Sequence, residues 1–368
     1  MIRNNMVEHC YIHVPFCKSI CYYCDFCHVQ YNRDLVKEWL NALKDELNHY
    51  PINNHLKTTY IGGGTPTSLE DDLLKELLEL IKPYTSNVDE YTIEINPETL
   101  TLSKVLLLKE YGINRVSIGI QAYQDHLLKM MNRKHTFEDV RNTVSLLKNN
   151  GITNIAVDII YSLPTQTMDD LKETMEHVLD LKPSHVSIYS LQIEEGTVFY
   201  QKGIEPLNED LEADMYDYLC DYLKEHGYEQ YEISNFSLPD KQSKHNLAYW
   251  HYKDFYGFSC GASGKENHVR YDHTKNIKEY LKDPLYREEI PLTQKDEMFE
   301  MVMMSLRLVK GISKKEFQDK FNISIDEVYG KVNQQLIEQG LLIVDEESIS
   351  CSEKGFPILN TILEYYLD

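Results

Sequence analysis

From residue 10 to about residue 200 one pattern repeats six times: a short apolar run of β character, a turn or glycine-rich loop, then a stretch with helical periodicity. The runs are CYIHV (10–14), KTTYI (57–61), EYTIEI (90–95), NRVSIGI (114–120), NIAVDII (154–160) and HVSIYSL (185–191). DLVKEWLNALKDELN and SLEDDLLKELLELIK are two of the helical segments between them, with Asp34 and Ser68 expected as N-caps. Strands that alternate with helices pair in parallel through crossovers, which constrains this region to an α/β fold. Six units predict a barrel, complete or partial, over an open sheet. The C-terminal ends of barrel strands share one face, and sites form there. A cysteine cluster follows the first run and Gly62-Gly63-Gly64 the second; Glu94 ends the third and Gln121 follows the fourth. Asp158 lies in the fifth run and Gln192 follows the sixth, so these residues are expected around one pocket.

Beyond this region the expected order changes. Residues 206–295 read as a mixed α/β extension: a helix near 211–226, the strand-like YEQYEIS, then the aromatic run NLAYWHYKDFYGF. Residues 296–368 read as three helices and a hairpin, the order of a winged helix. The expected division is therefore 1–205, 206–295 and 296–368. DNA binding by the last segment is disfavoured, because it holds 14 acidic against 7 basic residues. The whole chain carries 37 basic and 59 acidic residues, a net charge of −22, so nucleic acid is not an expected partner. No apolar run approaches the ~18 residues of a membrane span, and the N-terminal residues show no secretory h-region. A cytoplasmic location is expected. Clustered cysteines in such a reducing compartment are more often metal ligands than disulfides.

Half of the eight cysteines lie in HVPFCKSICYYCDFC, residues 13–27. Cys17, Cys21 and Cys24 have the spacing C-x3-C-x2-C, close enough for three thiolates to converge on one corner of a metal site. A closed zinc site needs a fourth ligand, for which Cys27, His13 or His28 are available. A [4Fe-4S] cluster on three thiolates instead leaves one iron open to a small molecule. Cys10, Cys220 and Cys351 stand apart and read as small hydrophobes; Cys260 is open between a soft ligand and a buried thiol.

The C-x3-C-x2-C loop resembles that of the radical SAM enzymes, whose open iron takes S-adenosylmethionine and whose reduced cluster cleaves it to methionine and a 5′-deoxyadenosyl radical. The GGGTPT stretch (62–67) one strand later resembles their methionine-binding turn, with backbone N–H groups free of side chains. Over most of its length the chain is similar to the oxygen-independent coproporphyrinogen III oxidase family, through YIHVPFCKSICYYCDF, IGGGTPTSL, IEINPETL, RVSIGIQAYQDHLLKMMNRKHT, VDIIYSLPTQT and YSLQIEEGTVFY. The resemblance implies a partial (β/α)6 TIM-type barrel with a smaller, winged-helix-like α+β C-terminal domain. It also implies that Tyr11 packs on S-adenosylmethionine and that Gly63, Gly64 and Thr65 hold its polar end. Tyr23, Glu94, Gln121, Arg133 and Asp158 would line the rest of that pocket.

This family divides into the oxidase itself and a heme chaperone branch. The oxidase has a further cysteine two positions after the third ligand, where this chain has Phe26, and a long extension before its first strand, where this chain has ten residues before Tyr11. Both features match the chaperone branch. HNLAYW (245–250) resembles that branch's H-N-x-x-Y-W heme motif, which implies roles in heme binding for His245, Asn246, Tyr249 and Trp250. A histidine common in the family near Ser263 is absent here. The implied partners are heme, an acceptor hemoprotein of respiratory type and an electron donor for the cluster, with at most peripheral membrane contact. The alternative is oxidative decarboxylation of coproporphyrinogen III.

Overall fold

The computed structural model describes residues 7–52 and 55–367. All six runs are strands: β1 (His9–Val14), β2 (Thr58–Gly63), β3 (Glu90–Ile95), β4 (Arg115–Gln121), β5 (Asn154–Tyr161) and β6 (His185–Ser190). They pair in parallel in chain order. Three later strands extend the same sheet: β7 (Glu229–Glu232), β8 (Asn235–Ser237) and β9 (Tyr256–Phe258). β9 joins β1 in parallel, β8 joins β6 antiparallel, and β7 lies outside β8. The nine-stranded sheet has two ends, β9 and β7, so the barrel is partial.

Strand alternation sorts the two faces. On β4, Val116, Ile118 and Ile120 are fully buried toward the helices, while Arg115, Ser117, Gly119 and Gln121 face the lumen. Helices α1 (Arg33–His49) and α2 (Asp71–Ile81) cover the outer face with Val36, Trp39, Leu40, Leu43 and Leu47, and with Leu73, Leu74, Leu77, Leu78 and Ile81. The lumen is lined by polar groups instead.

Neither expected N-cap holds that position. Asn32 caps α1, its side chain accepting from the N–H groups of Asp34 and Leu35. Asp34 thus lies inside the first turn, where its charge complements the positive end of the helix. Ser68 ends the 3-10 turn Pro66–Ser68, and its hydroxyl donates to Phe16 O at 3.0 Å. Helix α2 begins only after Glu70, which makes no side-chain cap.

After the barrel come α3 (Glu209–Glu225) and the seven-residue α4 (Lys244–Trp250). Next, α5 (Gln294–Ser305), α6 (Lys314–Phe321) and α7 (Ile325–Glu338) precede β10 (Leu342–Val344) and β11 (Ser348–Cys351), the helix-and-hairpin order read from the sequence. Met301, Val302, Phe317, Leu336 and Ile349 form the heart of a separate apolar cluster there. The cluster includes Tyr252, so the segment after α4 is packed into it. Glu297 on α5 is buried among Lys265 (3.8 Å), Lys320 (3.5 Å) and His268 (2.7 Å), which ties this unit to the preceding hairpin.

Candidate functional site

A cavity of about 460 Å3 runs down the barrel lumen. Its walls include Cys17, Cys21 and Cys24 with Tyr23 from the loop after β1, Gly63, Gly64 and Thr65 after β2, and Glu94 on β3. Gln121, Arg133, Asp158, Gln192 and Asn246, also expected from the sequence, line it as well. Cys27 is not part of the wall.

Backbone constraints at the glycines explain why no side chain fits there. Gly63 has φ +106°, a left-handed value that favours glycine, and its N–H donates to Glu94 Oε2 at 2.9 Å. A Cβ on Gly64 would stand 2.8 Å from Val14 O, 2.9 Å from Phe16 O and 3.0 Å from Cys17 Sγ. The glycine turn is therefore pressed against the cysteine loop. Thr65 Oγ1 lies 3.7 Å from Cys17 Sγ and accepts from Asn96 Nδ2 at 3.0 Å.

Arg133 is the cation of this end of the cavity. Its Nη1 points at Cys21 Sγ (3.6 Å), and Nη2 donates to Asn96 Oδ1 (3.0 Å) and to Gly119 O. Its Nε is buried without a partner among the described residues. Burial pushes the thiol of Cys17 up to about 11 and that of Cys24 up to about 12. Such sulfurs become thiolates only against positive charge, which a metal centre supplies as it binds and displaces their protons.

Glu94 accepts from Tyr60 OH at 2.8 Å as well as from Gly63 N–H. Burial raises its carboxyl to about 7, with the hydrogen bond from Tyr60 opposing and the nearby Asp158 adding to the rise. Burial also raises Asp158, against hydrogen bonds from Ser187 and Ser117. Gln121 adopts φ 70° where the β4–β5 register shifts, which turns its side chain into the lumen.

Four residues chosen from the sequence lie elsewhere. Tyr11 is packed behind the wall, its hydroxyl 3.0 Å from His13 Nδ1 and its ring beside Tyr60. His245 is 1% exposed, with Nδ1 2.8 Å from Thr58 Oγ1 and Nε2 2.7 Å from Tyr249 OH. Both ring nitrogens are thus engaged, and burial lowers the imidazole to about 3. In this arrangement the ring offers no nitrogen to an iron; the expected ligand is held as a core histidine. Tyr249 packs edge-on against Phe255 (4.5 Å), and Arg307 covers the Trp250 ring (4.8 Å). Of the HNLAYW motif, Asn246 faces the cavity.

Sequence reasoning passed over Arg115, Ser117, Ser187, Tyr189, Tyr60 and Asn96, all of which line the cavity. The signal was present: Arg115, Ser117, Gly119 and Gln121 are alternate residues of one strand, and one known lumen residue identifies the rest. Cys27 and Cys260 are both buried, and their sulfurs lie 3.4 Å apart. The Cys260 sulfur beside it, aided by His13, lowers the Cys27 thiol from its ordinary range.

The donor set fits an iron–sulfur cluster with an open iron: three thiols on one loop, a guanidinium beside them and a glycine turn too close for side chains. Among the described residues no group of three or more His, Cys, Asp and Glu side chains is already arranged as a metal site. Residues 11–178 match the Radical SAM superfamily, and residues 292–358 match the HemN C-terminal domain. A protein of Lactococcus lactis named heme chaperone HemW is 38% identical over 97% of this chain and 96% of its own length. The heme chaperone HemW of Bacillus subtilis is 37% identical over 97% and 98%, and that of Escherichia coli 29% over 97% of each. The solved structure of Escherichia coli coproporphyrinogen III oxidase (HemN), a radical SAM enzyme, superposes with a TM-score of 0.85 at 21% identity, covering 99% of this chain and 91% of that one. At that identity the likeness establishes the radical SAM barrel fold.

Proposed function

The chain belongs to the HemW family of radical SAM proteins, and from that premise we propose that it is a heme chaperone. Cys17, Cys21 and Cys24 hold a [4Fe-4S] cluster, and Gly63, Gly64, Thr65, Glu94, Gln121, Arg133 and Asp158 hold S-adenosylmethionine against its open iron. The observation that carries this reading is the convergence of those residues, from five different strand ends, on one cavity. When bound, the cluster supplies an electron to the sulfonium centre. The residues themselves supply charge and shape: Glu94 faces a ligand ammonium, Arg133 offsets the thiolates, and the glycine turn admits backbone contact. Heme enters the same lumen beside Asn246 and passes to an acceptor hemoprotein of respiratory type, with cluster reduction by a separate electron donor. The site of action is the cytoplasm, with transient contact at the membrane where such acceptors reside; no helix among the described residues is long and apolar enough to cross a membrane.

The test is a hemin titration of the anaerobically reconstituted protein, read by Soret absorbance. Saturable binding near one heme per chain is expected, followed by transfer to an apo-hemoprotein. Absence of binding, together with decarboxylated porphyrin after anaerobic turnover of coproporphyrinogen III, would replace the chaperone reading with the oxidase.

A second expectation concerns pH. With Glu94 titrating near 7, its carboxylate is present above that value and lost below it. Affinity for S-adenosylmethionine should therefore fall as pH drops below about 7, by up to about tenfold per unit. Glu94→Gln should bind weakly and without that pH dependence. Isothermal titration between pH 6 and 8 checks both, and a flat wild-type profile would remove Glu94 from the ligand's ammonium.

A further inference from the structure

Deep in the lumen, Arg115 presents a charge that the protein does not balance. The residue opens β4, paired with Thr92, and is 2% exposed. No hydrogen bond from its guanidinium is satisfied among the described residues, and its Nε is buried without a partner. It nevertheless lines the cavity. A buried guanidinium without an acceptor is costly, so such a group is poised for an anion.

The acids near it are committed to other donors. Asp158 lies within range of the Arg115 charge, but its two oxygens take the Ser117 hydroxyl at 3.3 and 3.0 Å. Glu90 lies on β3 two residues before Thr92, and its carboxylate accepts from the N–H groups of Lys244 and His245 at 3.0 Å each. Glu94 accepts from Tyr60 on one oxygen and from Gly63 on the other and makes no ion pair with Arg115. Asn246 also lines this cavity; its side-chain amide has no hydrogen-bond partner among the described residues, while its N–H donates to Ser243 Oγ. Tyr189, 42% exposed although it sits on a barrel strand, turns its ring into the same space.

Position separates this group from the cluster end. Arg115 and Gln121 are six residues apart on one strand, about 20 Å at 3.3 Å per residue. A ligand seated on Cys17, Cys21 and Cys24 and reaching Gln121 is anchored at the far end, and Glu94, in register with Ser117, stands between that end and Arg115. His185 and Tyr231, buried within range of the Arg115 charge, are hydrogen-bonded to each other (2.8 Å), and Arg115 itself borders the lumen.

We infer that Arg115, with the Asn246 amide, is a carboxylate anchor at the barrel floor that takes a propionate of the heme. This rests on the heme chaperone reading, and it locates that ligand inside the barrel. It also gives the HNLAYW helix a binding role through Asn246, while His245 fixes the helix in place.

The experiment compares hemin with hemin dimethyl ester, whose propionates carry no charge, on the reconstituted full chain and on Arg115→Met and Arg115→Lys. Arg115→Met should weaken hemin binding by roughly ten- to hundredfold, the scale of a lost charge-assisted pair, with Arg115→Lys retaining part of the affinity. The ester should bind weakly, and equally to wild type and Arg115→Met. Iron content and S-adenosylmethionine affinity should be unchanged. Without hemin, the melting temperature of Arg115→Met should be unchanged or higher, because a buried unpaired charge has gone. Wild-type hemin affinity in Arg115→Met, tight ester binding to wild type, a loss of S-adenosylmethionine affinity in place of hemin affinity, or a variant that fails to fold would each overturn the anchor. If wild type itself binds no hemin, the chaperone reading falls and the anchor with it; hemin binding indifferent to Arg115 removes the anchor alone.

Discussion

Cys17→Ala, Cys21→Ala and Cys24→Ala should each take iron and acid-labile sulfide from about four per chain to near zero after anaerobic reconstitution, with loss of the brown absorbance. The three residues share one short loop and one cavity wall, and a cluster that already leaves one iron open cannot lose a second protein ligand and stay bound. Cys27→Ser is the control that makes the prediction specific. It removes a cysteine three positions from Cys24, but one whose thiol lies 3.4 Å from the free thiol of Cys260, donates to Lys275 O (3.2 Å) and is absent from the cavity wall. Its iron content should equal that of wild type. Zinc in place of iron, or loss of metal in Cys27→Ser, would mean a closed four-ligand site and would undo the radical SAM assignment of this loop's chemistry.

Trp39→Ala should cost about 3–5 kcal/mol in urea unfolding of the cluster-free, reduced protein. Trp39 is wholly buried on α1, its ring edge against Phe16 at 5.5 Å and its indole N–H donating to Ser259 Oγ at 2.7 Å. Phe16 immediately precedes Cys17, and Ser259 follows β9, so this side chain pins the root of the cysteine loop to the edge strand beside β1. Truncation leaves a large cavity and an unpartnered hydroxyl. Trp39→Phe keeps the ring contact and loses the hydrogen bond, so it should cost only about 1–2 kcal/mol. Equal losses in the two variants would show that packing of Trp39 contributes little.

The barrel was legible because parallel βα units announce themselves locally. Each run carries the β-branched and aromatic residues of a buried strand, and each is followed by an apolar stripe at helical spacing. The N-caps were misplaced because Asp34 and Ser68 are good capping residues near competing signals. Asn32 reaches two N–H groups from one position earlier than the helix, and Pro66 draws Ser68 into a 3-10 turn. β7 was read as the strand-like YEQYEIS, but that β7, β8 and β9 extend the sheet could not be read, since strands of three or four residues gain their stability from long-range pairing.

The site divides along the same line. The three cysteines, the glycine turn and the polar strand ends follow from spacing and strand order, because a strand end in a βα barrel has one place to be. Arg115 was legible only through its alternation with Gln121, since an arginine opening a strand otherwise looks like a solvated edge until the strand's partners close a lumen around it. The HNLAYW helix shows the limit most sharply. Successive helical residues point about 100° apart, so the sequence puts His245 and Asn246 side by side without saying which faces the cavity. That choice belongs to Thr58, nearly two hundred residues away in the chain, whose hydroxyl draws the His245 ring into the core and leaves Asn246 on the lumen. The sequence alone determined the order of strands and the placing of three cysteines on one loop, which depend on local spacing. Tertiary structure alone decided which neighbour became packing and which became wall, because that depends on what lies across the sheet.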